Sequence, residues 1–296
     1  MFTLELLNSR VQHMTISILL PTRKRVKQLE RTMDSLLSNA KNPEKIQPLF
    51  GVDEDDNETL AFLKKANYQN QSVLKFKRLG YENLHIYNNS LCAYAQGTWV
   101  MFFNDDAIMN TKHWDEKIEN VKGFKVLRVK EQTGHPYSIF PIFPWDWFRL
   151  LDHISLHGQN DAWISEIAYM LDIMENVDIE VTHDRADITG NNNDEVFNER
   201  KYNEGNPQDP KDLHHQDMWN KRVADASKLA WYLERLGQKS LHWQKIVRKE
   251  INPMDKVADL FDAYRKSGAV GMGKQNARTS DQSEIKVSYK PVPTDT

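Results

Sequence analysis

The chain has 296 residues, 40% hydrophobic and 27% charged, with a formal net charge of −3 at pH 7. That length accommodates one large α/β domain with extensions or two smaller domains, and near-neutrality leaves no global field to drive it onto nucleic acid or an anionic membrane. The single cysteine, Cys92, excludes an internal disulfide framework and a cysteine metal cluster. No apolar run approaches the roughly 20 residues of a membrane span, and no uninterrupted apolar leader marks secretion. The expectation is a cytoplasmic protein without an integral membrane segment.

Met14 to Leu20 is a β-branched apolar run stopped by Pro21, which reads as a buried strand. Leu29, Met33, Leu36 and Leu37 then keep helical spacing and predict an amphipathic helix over Val26 to Ala40. Ile46 to Val52 is a second strand, ending in Asp53-Glu54-Asp55-Asp56, and Leu60, Ala61 and Leu63 imply a helix. Val73 to Leu79 reads as a third strand and Leu84 to Ala95 as a helix leading through Gly97 into Trp99 to Phe103. That last run is apolar on both faces and breaks into Asn104-Asp105-Asp106. Carboxylates at the carboxyl end of a buried strand lie where an open α/β sheet binds ligands. A pair of them suits a hard divalent cation held against a diphosphate. Alternation of strand and helix predicts βαβ units and a mostly parallel sheet.

Further on, Phe124 to Val129 and Tyr137 to Phe143 read as strands, Phe148 to Ile154 and Ala162 to Met174 as helices, and Val177 to Val181 as a strand. Asn191 to Asp212 is rich in Asn, Gly and Pro and reads as a loop, with Asn191, Asn192, Asn193 and Asp194 either an acceptor-side segment that closes on bound nucleotide or a plain flexible loop. Helical patterns return over Leu213 to Leu236 and Leu241 to Arg265, followed by a tail expected to be disordered. The domain reading is residues 1–200 as a catalytic unit, with a nucleotide half at about 14–114 and an acceptor half at 115–200. A helical extension over 201–268 and a tail over 269–296 complete it.

Three segments together resemble the family-2-type glycosyltransferases with the GT-A fold. Ile16 to Arg23 looks like their opening strand and loop, Leu49 to Asp53 like the strand whose aspartate contacts the base, and Phe102 to Asp106 like their Asp-x-Asp motif. The resemblance implies a GT-A-like (Rossmann-like) mixed central sheet flanked by helices, with a helical C-terminal extension. It implies an enzyme moving a sugar from a nucleoside-diphosphate sugar donor to an acceptor hydroxyl with Mn²⁺ or Mg²⁺, with inversion favoured. Pro21, Thr22 and Arg23 would border the nucleoside, Asp53 would accept from the base, and Asp105 would lie near the ribose. Asp106 would bind the metal, with His183 as a further ligand and Asn104 as a neutral oxygen donor where many relatives carry a carboxylate. His214 and His215 compete for the histidine role. Gly158 to Trp163 resembles the family's later glycine-and-acid region, making Asp161 the first choice of general base and Glu166 the second; Asp161 reads equally as a helix N-cap.

Alternatives stay open. Asp105-Asp106 alone reads as a solvated turn, and Arg23, Lys24 and Arg25 as a cradle for phosphate or, more commonly for such a cluster, a solvated basic face. Competing functions are a nucleotidyltransferase, disfavoured by the lack of glycine in Pro21 to Arg25, and a non-catalytic nucleotide-sugar-binding protein. The acceptor is open among saccharides, lipid-linked sugars, small molecules, proteins and hydroxylated bases of DNA.

Overall fold

A computed structural model describes residues 15–191, 194–199 and 209–267. The expected tail and parts of the polar stretch, including Asn192 and Asn193, lie outside the described residues. The nucleotide half runs β1 (Ile16–Thr22), α1 (Val26–Asn39), β2 (Ile46–Asp53), α2 (Asn57–Ala66), β3 (Ser72–Phe76), α3 (Leu84–Ala93) and β4 (Trp99–Phe102). It continues through β5 (Ala107–Met109), α4 (Trp114–Glu119), β6 (Val126–Glu131), β7 (Ile142–Pro144), α5 (Asp146–Leu151), α6 (Asn160–Leu171) and β8 (Met174–His183). After these come α7 (Ala186–Thr189), α8 (Glu195–Glu199), α9 (Gln216–Arg235), α10 (Leu241–Val247) and α11 (Asp255–Lys266).

The strands form one mixed sheet of order β3-β2-β1-β4-β7-β6-β8-β5. Its β3-β2-β1-β4 half is parallel, as βαβ spacing requires. β7 pairs antiparallel with β4 and β6, β8 lies parallel to β6, and β5 runs antiparallel to β8. The parallel register puts the carboxyl ends of β1, β2 and β4 along one edge of the sheet, the side on which such sheets take ligands.

Alternation along β1 divides the core. Leu19 joins Leu49, Val100 and Phe143 under α3 and α6. Ile18 and Leu20 join Phe50 and Met101 beneath Leu29, Met33 and Leu36 of α1. Both faces of these strands are therefore dry, which is why their sequence reads as continuous apolar runs. Close approach at the crossover from α3 to β4 needs Gly97, since an added Cβ would sit 2.6 Å from the Ser17 backbone nitrogen.

Several expected boundaries shift. The strand expected over Tyr137 to Phe143 is only β7, Ile142–Pro144, because Ser138 is held in the preceding turn by the Ser165 and Leu127 side-chain and backbone contacts. The strand expected over Val177 to Val181 is the ten-residue β8, Met174–His183. β5, of three residues, has too short a pattern to read from sequence. The polar stretch after Gly190 contains helix α8. The expected helix over Leu241 to Arg265 is broken into α10 and α11, with Lys249 in the left-handed region at φ 60° and Pro253 between them.

Candidate functional site

The strand tips converge. The Thr22 hydroxyl at the end of β1 donates to Asp105 at 2.8 Å, just past β4. Asp106, beside it, lies 3.3 Å from the Nε2 of His183, the last residue of β8. Asn104 Nδ2 stands 3.1 Å from the same nitrogen. β8 reaches this point because β5 pairs with it: Ala107 is opposite His183 in the ladder. Gln132 fixes His183 further, donating to its carbonyl at 2.7 Å and accepting from its amide at 2.9 Å. Thus Asn104, Asp105, Asp106 and His183, distant in sequence, share one site.

The loop after β1 supplies the positive charge. Lys24 adopts φ 54°, the left-handed region that a side chain enters only at a cost. Its amide is held by the Asp56 carboxylate at 2.6 Å. This reversal leaves both Arg23 and Arg25 buried while Lys24 stays half exposed. Arg25 donates to Asp105 at 2.9 Å and to Asp106 at 3.2 Å, and its remaining nitrogens make two bonds of 2.7 Å to Asp194. Arg23 reaches Asp53 at 3.1 Å and Asp55 at 2.6 and 3.0 Å.

Charge balance in this buried site follows. Burial pushes Asp105 up to about 6 and the neighbouring Asp106 charge adds to this, against the pull of Arg25 and the Thr22 hydroxyl. Asp106 lies below the ordinary carboxylate value: burial pushes it up, but the bonds and charges of His183 and Arg25 outweigh that. The carboxylates in turn hold Arg25 firmly charged despite its burial.

Asp53 ends β2 and is buried. One of its oxygens accepts from the Tyr87 hydroxyl and the other from Arg23. Tyr87 packs on Phe76 with ring centroids 4.7 Å apart, so an aromatic wall from α3 and β3 stands beside this carboxylate. Pro21 is half-buried within β1. Asp56 caps α2, accepting from the Thr59 amide at 3.1 Å.

Asp161 and Glu166 separate. Asp161 sits in the first turn of α6, half exposed; Gln159 is the N-cap position, so Asp161 is not the cap. Glu166 is fully buried, 2.7 Å from Arg222 Nε, and accepts from the Tyr137 hydroxyl at 2.8 Å. Glu166, the second choice of base, is thus engaged inside the core by Arg222 and Tyr137. His215 caps α9, accepting from the Asp217 amide, and so leaves His183 without that competitor at the acidic tip.

Sequence reading missed Tyr87, and it named Arg25 and Asp194 without pairing them. For Arg25 a signal exists. It stands at the N-cap of α1, where Ser, Thr, Asp or Asn is usual, and makes no capping bond. The pairing itself carried none, since nothing local links Asp194 to a loop 169 residues earlier.

Residues 17–123 match the family model for glycosyl transferase family 2. Over that stretch, about a third of the chain, the sequence is similar to the family-2-type glycosyltransferases. No curated protein matches the sequence. Among solved structures, residues 1–349 of Staphylococcus aureus TarS in complex with UDP-GlcNAc align with TM-score 0.52 at 14% identity, covering 87% of this chain and 82% of that one. The mannosyltransferase PcManGT from Pyrobaculum calidifontis, in complex with GDP-Man and Mn²⁺, aligns with TM-score 0.50 at 9% identity, covering 86% and 71%. The chain spans 55% of the longer TarS structure. These likenesses are of fold: a mixed sheet with flanking helices and C-terminal helices beyond it. Among the described residues no helix is long and apolar enough to cross a membrane.

Proposed function

We propose that the protein transfers a sugar from a nucleoside-diphosphate sugar to an acceptor hydroxyl, by direct displacement with inversion. The observation that carries this reading is the meeting of β1, β4 and β8 at one buried acidic tip, where Thr22, Asp105, Asp106 and His183 interlock.

A divalent metal fits this tip. Asp106 Oδ1 is buried and faces His183 Nε2 at 3.3 Å, too loose a contact to satisfy this acceptor fully. Among the described residues no three His, Cys, Asp or Glu side chains cluster as a metal set, so Asn104 must supply a neutral oxygen by turning its amide. Asp106, His183 and Asn104 would then hold Mn²⁺ or Mg²⁺, an oxygen-and-imidazole set suited to Mn²⁺. The ion would supply Lewis-acid stabilisation of the charge that grows on the departing diphosphate.

The chain's own groups do the rest. Asp53, with Tyr87 and Arg23 fixing its oxygens, receives a donor group of the base. Pro21 and Thr22 border the nucleoside, and Asp105, held by Thr22, faces the ribose. Asp161 accepts the proton of the acceptor hydroxyl as its oxygen bonds to the anomeric carbon and the bond to the diphosphate breaks.

The test is release of nucleoside diphosphate from a panel of sugar nucleotides with Mn²⁺, across saccharide, protein, small-molecule and hydroxymethylated-DNA acceptors. Release with one donor and loss of at least about a hundredfold in Asp106→Asn are expected, in line with the cost of removing one group that stabilises transition-state charge. Tight binding with no release for any pair would reassign the protein as a nucleotide-sugar-binding module. Full turnover by Asp106→Asn would end the metal assignment.

A further inference from the structure

The basic loop after β1 and the basic residue after β3 converge on the site, and one short helix holds all of their charges. Asp194 makes its bidentate contact with Arg25. Glu195 lies 3.0 Å from Lys24, 2.9 Å from Arg78 and 4.0 Å from Arg23. Glu199 pairs with Arg78 as well. The Asp194 carboxylate also caps the helix through the Phe197 amide at 2.9 Å, and none of the helix residues is buried.

The inner cations have different status. Arg25 is held on its far side by Asp105 and Asp106, and Arg23 by Asp53 and Asp55, so both stay in place without α8. Arg25 turns its other nitrogens to Asp194, and Arg23, Lys24 and Arg78 meet Glu195, so the four form a row of positive charge facing α8 and its neighbour Asp194. A nucleotide whose base meets Asp53 and whose ribose meets Asp105 brings its phosphates to the Arg25 end of this row, beside Asp106. The carboxylates of α8 stand there instead, and a row of carboxylate oxygens offers guanidinium groups the same bidentate acceptors as a diphosphate.

We infer that α8 is an internal stand-in for the donor's diphosphate: Asp194, Glu195 and Glu199 occupy Arg23, Lys24, Arg25 and Arg78, and donor entry displaces them. The inference rests on the reading of the site as a nucleotide-sugar site. It makes donor affinity a competition, because a site whose open form is populated one part in ten binds about tenfold more weakly than the open form alone. The α8 pairs are partly exposed, with Asp194 and Glu199 side chains at 32% and Glu195 at 44%, so each is individually weak and the clasp can open.

The experiment uses the full chain and the triple variant Asp194→Asn, Glu195→Gln, Glu199→Gln. Calorimetry with UDP, GDP, ADP, CDP and dTDP measures affinity at low and at moderate salt, and hydrogen exchange follows the amides of α8. The expected result is about tenfold tighter binding of the cognate diphosphate by the variant. In the parent chain, α8 amides should exchange faster once that diphosphate is added. Equal or weaker binding by the variant, or exchange that slows on binding, would overturn the clasp while leaving the donor site intact. Binding of no diphosphate by either protein would overturn the donor reading and the clasp with it. Should the triple variant lose its folded near-ultraviolet spectrum, Glu199→Gln alone carries the same expectation with a smaller gain.

Discussion

Asp161 and Glu166 share helix α6, yet burial sends them to opposite uses. Asp161 is half-buried in the first turn; Glu166 is fully buried, paired to Arg222 and bonded by Tyr137. As the base, Asp161→Asn should lower kcat by about 10²–10⁴ with a much smaller change in KM, measured by diphosphate release. A fall confined to KM would mean that Asp161 only binds. Glu166→Gln should behave in the opposite way. Breaking a buried pair by neutralising one partner costs about 3–5 kcal/mol, because Arg222 keeps its charge in a dry setting. Urea unfolding should report that loss, while turnover per folded molecule stays close to the parent value; a stable but inactive variant would restore Glu166 to the chemistry. Both acids stood out in sequence because the run from Gly158 into this helix resembles the family's later glycine-and-acid region. What sequence lacked was the partner: Arg222 lies 56 positions downstream, and its burial follows only from helix packing. Asp53, Asp105 and Asp106 were legible for a local reason, because each follows an uninterrupted apolar strand that fixes both its depth and its end.

Elements with a long period or a strong boundary were readable, and those made by pairing were not. α1 shows its apolar stripe at Leu29, Met33 and Leu36, and α2 shows its cap at Asp56. β5 and β7, of three residues each, exist because neighbouring strands offer them ladder partners. The loop that presents Asp161 depends on a close approach of this kind. A Cβ at Gly158 would lie 2.4 Å from the Glu82 carbonyl oxygen, a backbone atom that cannot swing aside. Gly158→Ala should therefore cost about 1–3 kcal/mol as the loop shifts, and it should lower kcat by displacing Asp161. Parent-like stability and kcat would show that the two loops are free to part. Attachment of α11 is weaker. Lys256 donates to Asp172 at 2.7 Å, and this bond, ahead of any other cause, holds the Asp172 carboxyl below its ordinary value. A depressed carboxylate contributes stability above the ordinary value of about 4 and loses it as pH falls below that. Both groups are well exposed, so Lys256→Ala should cost at most about 1 kcal/mol at pH 7. Chemical unfolding at pH 7 and pH 3.5 checks the sign: the gap between parent and variant should narrow in acid, and a gap that widens would refute the pairing.

At the scale of the molecule, the expected division between a catalytic unit and a helical extension meets a shared core. Trp219, Val223, Ala226, Leu229 and Leu233 of α9 belong to the same apolar cluster as Leu19, Val100 and Phe143 of the sheet. Arg222 is stacked between Trp163 and Trp219, with 5.5 Å from its guanidinium carbon to each ring, and it closes the ion pair with Glu166 beneath them. Removing α9 would thus expose a dry face of α6 and leave Glu166 buried without its counter-charge. Apolar spacing in Leu213 to Leu236 announces a helix in the sequence, but periodicity is silent on which surface the stripe covers. A chain ending at residue 212 should accordingly fail to fold. The full chain should unfold in one transition, with near-ultraviolet dichroism from its tryptophans and far-ultraviolet dichroism from its helices giving the same urea midpoint. A truncated chain with a cooperative transition of its own, or two separated midpoints in the full chain, would restore the extension as an independent unit. A single midpoint would mean that the acceptor side, through Tyr137 and α6, is held in shape by the C-terminal helices.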